Sequence, residues 1–183
     1  TYLAAKYGLQ IQGVSEEELA MARELVEMDE KDKKIVELPY LIESETTDGR
    51  TEGKWRKFSL EEMKESKKLH YIVDVQPESF QLPDVQEAIV RAKTIFVNAV
   101  MGLMPYFYEG SRTLYELIFQ NAQAMKLFGG GDTLQELKNL APGPYLRGLD
   151  SQDTYYFTGG GSVLVAIEQG SPYHIKPVEA LME

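Results

Sequence analysis

The sequence predicts an α/β fold, a Rossmann-like domain of three layers in which helices cover both faces of a mainly parallel sheet. First, β-rich apolar segments alternate with segments whose apolar residues recur at helical spacing, and the short connections contain Gly or Ser. Second, two of the predicted strands run directly into three successive glycines, at residues 129–131 and 159–161. Ligands in such sheets bind at the carboxyl ends of the strands, which is where both glycine triplets lie.

The individual elements follow from capping residues, apolar spacing and chain breakers. Ser15 followed by Glu18 forms a capping box that opens a helix, and Pro39 bends a strand or places it at a sheet edge. The predicted helices are residues 1–7, 15–28, 83–92, 111–122 and a short helix after residue 131 that Pro142 and Pro144 close. The predicted strands are residues 35–42, 69–75, 94–98 (buried), 125–128 and 154–158, with a surface loop or hairpin at 44–59. Residues 162–167 alternate β-branched residues, so that helix and strand both remain open there.

Length and composition indicate an ordinary globular protein. The 183 residues suffice for one domain with a core, and we expect a single domain over residues 1–183. No segment reaches the length of a membrane span, and the absence of cysteine excludes disulfides and thiolate metal sites. Because no secretory signal is visible at the N-terminus, we expect a cytoplasmic protein without a membrane role, with an organelle as the alternative compartment.

The negative net charge of the chain argues against nucleic acids as partners. Nineteen basic residues stand against twenty-nine acidic ones, giving a formal charge of −10, and neither glycine segment contains a basic residue. Nucleic-acid binding is therefore not expected, because such sites need cations that offset phosphate repulsion. If the glycine segments hold phosphates, a metal ion or protein outside this sequence must supply most of the neutralising charge.

The first glycine turn, residues 129–133, has the layout of a phosphate-binding strand, turn and helix. Glycines let backbone N–H groups approach a ligand without a Cβ in the way, and a helix N-terminus favours negative charge. Asp132 and Thr133 add a carboxylate and a hydroxyl, which can bind a hard cation and a phosphate oxygen. The structural alternative is a capping box, in which Asp132 is the N-cap of the helix and the Gln135 side chain bonds the backbone N–H of Asp132.

The second glycine turn, residues 159–161, precedes a strongly apolar segment. N–H donors at a helix start can stabilise the equatorial oxygens of a phosphoryl group in transfer. A plain left-handed turn is the alternative, although it would need one or two glycines more often than three.

Three segments in this order resemble the C-terminal, nucleotide-binding domain of phosphoglycerate kinase: Asn98 with Met101-Gly102, the Gly-Gly-Gly-Asp-Thr of the first turn, and Thr-Gly-Gly-Gly-Ser at 158–162. Weaker similarities at both ends of the chain extend the resemblance over nearly its whole length. The resemblance implies that the substrate-binding domain and the first part of the nucleotide domain lie upstream of Thr1, so that the sheet is incomplete at its N-terminal end. It also favours a helix at 162–167.

The resemblance implies a role for each candidate residue and a reaction. The nucleotide phosphates would be held by Gly130, Gly131, Asp132 and Thr133, with Asp132 facing Mg²⁺, the sugar and base would lie against Asn98, and the transferred phosphoryl group would face Gly159, Gly160 and Gly161. The implied reaction is reversible, Mg-dependent phosphoryl transfer between bisphosphoglycerate and ADP, giving phosphoglycerate and ATP in glycolysis. Phosphoglycerate would be bound through the missing N-terminal half.

The chain departs from the family pattern at the nucleotide site. Ala99-Val100 stand where the family has Gly-Pro, and Pro105 stands where a glutamate usually grips the ribose. Proline offers neither a carboxylate nor an N–H. We therefore expect the isolated chain to be inactive. The alternative function is a non-catalytic relative that serves as an interaction module in a larger assembly, with a protein partner covering exposed apolar surface.

Overall fold

Helices and strands alternate along the chain in the computed structural model, which describes residues 1–182. The helices are Tyr2–Tyr7 (α1), Glu16–Asp32 (α2), Leu60–Ser66 (α3), Pro83–Arg91 (α4), Glu109–Gln120 (α5), Gly131–Leu140 (α6), Pro142–Leu149 (α7), Gly160–Glu168 (α8) and Lys176–Met182 (α9). The strands are Gln10–Ile11 (β1), Tyr40–Ser44 (β2), Trp55–Ser59 (β3), Lys68–Leu69 (β4), Tyr71–Val75 (β5), Thr94–Val97 (β6), Met125–Gly129 (β7) and Thr154–Phe157 (β8).

The chain forms two compact units, each with its own sheet structure. The first unit consists of Thr1–Ala88 and Met101–Leu114, and the second consists of Ile89–Val100 and the residues from Tyr115 onward. The organisation as a single domain stays a prediction.

The first unit contains an antiparallel sheet of order β3-β2-β5 and a short parallel pair of β1 with β4. Ile42, Val73 and Phe107 form a buried cluster against this sheet. The segment at 44–59, for which a loop or hairpin was expected, is the β2–β3 hairpin.

The second unit contains the parallel sheet β6-β7-β8, and both glycine turns belong to this unit. Its strands are in register, with Val97 opposite Phe128 and Gly129 opposite Phe157. Phe128 is fully buried and packs against the rings of Tyr115, Phe119 and Tyr156. The α/β fold class with parallel strands is therefore confirmed.

A single buried amide fixes the segments that enter β6 and β7. The Asn121 side-chain amide donates to the carbonyls of Ile89, Val90 and Ala92, at 2.8, 3.2 and 3.0 Å. Its oxygen accepts the N–H groups of residues 123 and 124. All hydrogen-bonding capacity of this amide is thus used inside the second unit.

Several boundaries predicted from local signals are confirmed. The Ser15 and Glu18 capping box is present at the start of α2, Gly8 ends α1 in the left-handed conformation, and residues 162–167 are helical. Within the described residues, no helix combines the length and the apolar character that crossing a bilayer would need.

Two strand predictions were wrong, one in its boundary and one in its burial. The strand predicted at 35–42 begins only at Tyr40, directly after Pro39, which lacks the N–H that a strand ladder needs. The strand at 94–98 is not buried, since β6 lies at one edge of the described sheet and Phe96 is 37% exposed.

Two helix predictions also need correction. The helix predicted from Ser111 begins at Glu109, and the buried Ser111 hydroxyl accepts the Gly102 N–H at 3.1 Å instead of capping the helix. Pro142 opens a further helix, α7, because its missing N–H costs nothing in a first helical turn.

Candidate functional site

The first glycine turn connects β7 to α6. Gly130 is the N-cap of α6 and has a φ of +96°, a conformation that L side chains rarely adopt, so a glycine is required there. Its N–H donates to the carbonyl of Phe157 at 3.0 Å, which joins the turn to the end of the neighbouring strand.

Asp132 is not the N-cap, so the structural alternative for this residue is wrong. It lies in the first turn of α6 with an exposed side chain, and no side chain caps this helix. The side chain of Gln135 donates to Asn139 instead. Within residues 1–182, no side chain bonds the Asp132 carboxylate, and the first N–H groups of α6 carry no capping partner.

The second glycine turn connects β8 to α8 in the same way. Gly159 is the N-cap and α8 begins at Gly160, again without a side-chain cap in the described chain. Both turns follow neighbouring parallel strands, since β7 and β8 pair directly. The first turns of α6 and α8, with their free N–H donors, therefore lie at the same end of the parallel sheet, where the carboxyl ends of its strands meet.

Asn98 lies between the two turns. A Cβ built on Gly160 would be 2.0 Å from the Asn98 Oδ1 atom, and one built on Gly130 would be 3.3 Å from the same atom. The amide oxygen thus touches both glycine turns from the end of β6. The predicted contact of Asn98 with a nucleotide sugar and base stays a prediction.

The glycines of the two turns divide into two groups. Gly129 and Gly160 are closely packed: a Cβ on Gly129 would meet the Phe157 ring at 2.6 Å, and one on Gly160 would meet Asn98 Oδ1 at 2.0 Å and the backbone nitrogen of Gly130 at 2.9 Å. Gly131 and Gly161 have no atom within 4 Å of an added Cβ and no positive φ. Neither packing nor backbone conformation explains these two glycines.

Neighbouring helices hold the turns in place. The buried Tyr115 hydroxyl of α5 donates to the buried Glu136 carboxylate of α6 at 2.7 Å. Burial, together with that carboxylate, raises the pKa of the Tyr115 hydroxyl. Burial, with smaller effects from Tyr145 and Asp153, raises the pKa of Tyr156 to about 12, so the hydroxyl stays protonated and donates to the Tyr145 carbonyl at 3.1 Å.

The charge at the turns is acidic. Lys126, the basic residue of β7, is buried and donates to the Ala124 carbonyl, and it pairs with Asp153 at 3.7 Å. Asp132 is the exposed carboxylate of the first turn, and the described residues contain no cluster of three or more potential metal ligands. A lone carboxylate next to free N–H donors suits Mg²⁺ that arrives with a nucleotide, because Mg²⁺ is typically held by one or two carboxylates plus substrate phosphates.

Phe157 was not identified as part of the site from the sequence. Its ring lies over Gly129 and stacks on Phe96 at 6.2 Å. Only the register of three strands brings these rings together, so local sequence carries no signal for the contact.

The departures from the family pattern lie on exposed positions. Ala99 and Val100 are exposed at the end of β6, Val100 to 46%, and Pro105 is an exposed residue of the first unit. Their effect on nucleotide binding stays a prediction.

Comparison with known proteins identifies the family. The model of the phosphoglycerate kinase family matches residues 1–170. The phosphoglycerate kinase of Dictyoglomus turgidum is 35% identical over 98 residues, 52% of this chain and 22% of that protein. The phosphoglycerate kinase of Mycoplasma genitalium is 26% identical over 170 residues, 91% of this chain and 38% of that protein.

A solved structure agrees at the level of the fold. The phosphoglycerate kinase of Coxiella burnetii matches with a TM-score of 0.68 at 21% identity, covering 93% of this chain and 41% of that chain. The chain thus spans between 22% and 41% of the length of these relatives. With the family model matching residues 1–170, this chain belongs to the phosphoglycerate kinase family as a divergent member.

Proposed function

We propose that the two glycine turns bind the phosphates of Mg-ADP or Mg-ATP and that the chain supplies the nucleotide-binding side of a phosphoglycerate kinase active site. The reaction is reversible phosphoryl transfer between bisphosphoglycerate and ADP, giving phosphoglycerate and ATP, as in glycolysis in the cytoplasm. Phosphoglycerate is bound by parts of a full-length kinase outside this chain. The kinase family supports the reaction class, and the open glycines of the turns support the binding.

The observation that carries the proposal is the open space at Gly131 and Gly161. Both lie in first helical turns, where alanine would favour the helix by about 0.5–1 kcal/mol over glycine. No contact and no backbone angle within the described residues requires glycine there. Close approach of a phosphate to the backbone does require it, because a methyl group would occupy the ligand's position.

The residues of the turns then have distinct tasks. N–H groups of the first turn donate to nucleotide phosphate oxygens, and Thr133, a residue that is 3% exposed, borders them with its hydroxyl on the Gly130 side of the turn. N–H groups at residues 159–161 are directed at the transferred phosphoryl group, whose negative charge grows on its equatorial oxygens. Asn98 keeps the two turns at a fixed separation through its contacts with Gly130 and Gly160.

Asp132 is the residue that would hold magnesium. The ion supplies charge neutralisation, which a chain of net charge −10 otherwise lacks next to phosphates. Without a cation, the Asp132 carboxylate repels a polyphosphate. The proposal therefore implies that nucleotide binding depends on magnesium and on this carboxylate.

Calorimetric titration with Mg-ADP tests the proposal. We expect Gly131→Ala and Gly161→Ala each to weaken binding at least about tenfold, which corresponds to 1.4 kcal/mol, because each methyl group enters the ligand's space. Gly143→Ala is the matched control, since Gly143 lies in the first turn of α7 and an added Cβ would make only an ordinary contact at 3.6 Å. Equal affinities for all four proteins would contradict the proposal.

The alternative function, a non-catalytic interaction module, is favoured by one feature of α8. Leu164 and Ile167 are 49% and 64% exposed, and Val165 is 37% exposed. A partner that covers this face would remove apolar surface from water. Absent Mg-ADP binding, together with self-association that Leu164→Lys/Ile167→Lys abolishes in sedimentation velocity, would favour the module over the kinase.

A further inference from the structure

We propose a second anion site in the first unit, which binds the phosphate group of a small phosphate monoester. The site is a polar cavity of about 320 Å³ between the β2–β3 hairpin and β4. The basic residues that line it are Lys54, Arg56, Lys68 and His70. None of them belongs to the glycine turns, so the inference goes beyond the proposed nucleotide site.

Arg56 is held in place for such a ligand. Its Nε atom donates to Glu43 Oε1 at 2.6 Å, and Glu43 is only 5% exposed. The other carboxylate oxygen of Glu43 accepts the backbone N–H of His70 at 3.2 Å. Both oxygens of Glu43 are therefore bonded, and the bond to Oε1 anchors the Nε side of the guanidinium without covering its terminal nitrogens.

The far edge of the Arg56 guanidinium is free to bind an anion. The side chain is 53% exposed, and its terminal nitrogens bond no group in the described part of the chain. A guanidinium presents these nitrogens as a planar pair that matches two oxygens of a phosphate. Because Glu43 already anchors the Nε side of the group, less side-chain entropy is lost when a phosphate binds than for a free arginine.

The lysines add positive charge at the same cavity. Lys54 and Lys68 are exposed, and neither forms an ion pair among residues 1–182. With Arg56 paired to Glu43, the other charged residues of the lining are Lys54 and Lys68 against Glu45. Outside the lining, hydrogen bonds from Ser59 lower the pKa of Glu62, and Glu62 lies close enough to Arg56 for that guanidinium to contribute. The charged residues of the lining thus have a positive excess of one, in a chain of net charge −10.

The size and walls of the cavity select the ligand class. Its volume lies near the lower end of typical small-molecule sites, roughly 300–1,000 Å³, which suits a phosphate on a small organic group. Trp55 belongs to the lining through β3, but its ring lies on the opposite face of that strand from Arg56 and packs against the buried cluster of Ile42, Val73 and Phe107. Its ring is held by Arg50, whose guanidinium carbon lies 4.2 Å from the ring centroid, and by Phe107 at 5.9 Å.

The test is a titration with inorganic phosphate at constant ionic strength, balanced with sodium chloride. Amide NMR shifts at residues 54–56 and 68–70 report binding and locate the ligand, and the fluorescence of Trp55, the only tryptophan of the chain, follows changes in β3 next to the cavity. We expect a saturable response that Lys54→Ala/Lys68→Ala weakens at least about tenfold. Arg56→Lys keeps the charge but loses the planar pair, and it should also weaken binding.

The matched control is Lys57→Ala. Lys57 lies on the same strand, pairs with Glu78 at 3.6 Å and does not line the cavity, so its loss should leave phosphate affinity unchanged. Should Arg56→Lys fail to fold, the double lysine variant decides, because both lysines are exposed.

Three results would overturn the site. These are a response that does not saturate, a response that the double lysine variant leaves unchanged, and shifts confined to residues 130–133. The last result would place phosphate at the glycine turn alone. Because Mg-ADP is absent from this titration, failure here leaves the proposed nucleotide binding standing.

Discussion

Gly160→Ala tests whether the two glycine turns are packed against each other through Asn98. The added Cβ would lie 2.0 Å from Asn98 Oδ1 and 2.9 Å from the backbone nitrogen of Gly130. The amide side chain can rotate away, but the backbone nitrogen can move only if the first turn shifts. The substitution should therefore disturb both turns at once.

The expected cost follows from these contacts. Overpacking of a filled site costs about 1–3 kcal/mol, and replacing glycine in a helix returns up to about 1 kcal/mol. We expect a net loss of about 1–2 kcal/mol, which lowers the melting temperature by roughly 2–8 °C for a protein of this size.

Thermal unfolding followed by circular dichroism measures this loss, and Gly161→Ala is the control. Gly161 has no atom within 4 Å of an added Cβ, so that variant should melt at the wild-type temperature or slightly above it. Asn98→Ala in the Gly160→Ala background should recover part of the stability, because it removes the nearest contact. Equal melting temperatures of Gly160→Ala and Gly161→Ala would contradict the close packing of the two turns.

Two further predictions concern buried or bonded polar groups. Asn121→Asp should lower the free energy of unfolding in urea by roughly 2–4 kcal/mol, because it replaces a donor to three carbonyls with an oxygen that repels them; a loss below about 0.5 kcal/mol, the range of neutral surface changes, would be inconsistent with the network. Backbone N–H donation from Ile35, with further bonds from Lys34 and Tyr2, lowers the pKa of Asp29 below its ordinary value of 3.8. The carboxylate therefore stabilises the fold fully above that value and loses this effect as the pH falls through its lowered pKa. The stability difference between wild type and Asp29→Asn should be present at neutral pH and vanish in acid, whereas a difference independent of pH would refute this role.

Signals confined to a few neighbouring residues were predictable from the sequence. The capping box of Ser15 and Glu18 involves residues three positions apart, and it appears as expected at the start of α2. The glycine turns were located correctly for the same reason, because strand, glycines and helix follow one another directly. The alternation of these elements also sufficed for the fold class.

Contacts between distant segments were not predictable. Asn98 meets Gly160 only because β6, β7 and β8 pair in one particular register, which no local pattern encodes. For the same reason, the sequence could not separate closely packed glycines, such as Gly160, from glycines with free space around them, such as Gly131. The exposure of Phe96 depends likewise on the edge position of β6.

The central claim is that the two glycine turns bind a magnesium nucleotide, and an amide NMR titration with ADP, with and without Mg²⁺, tests it most directly. We predict shifts at residues 130–133 and 160–162 that saturate at millimolar ADP, require magnesium and are lost in Asp132→Ala. Since no side chain of the described residues depends on Asp132, that variant should keep its fold. Amides at both turns that stay unshifted at millimolar Mg-ADP would contradict the claim.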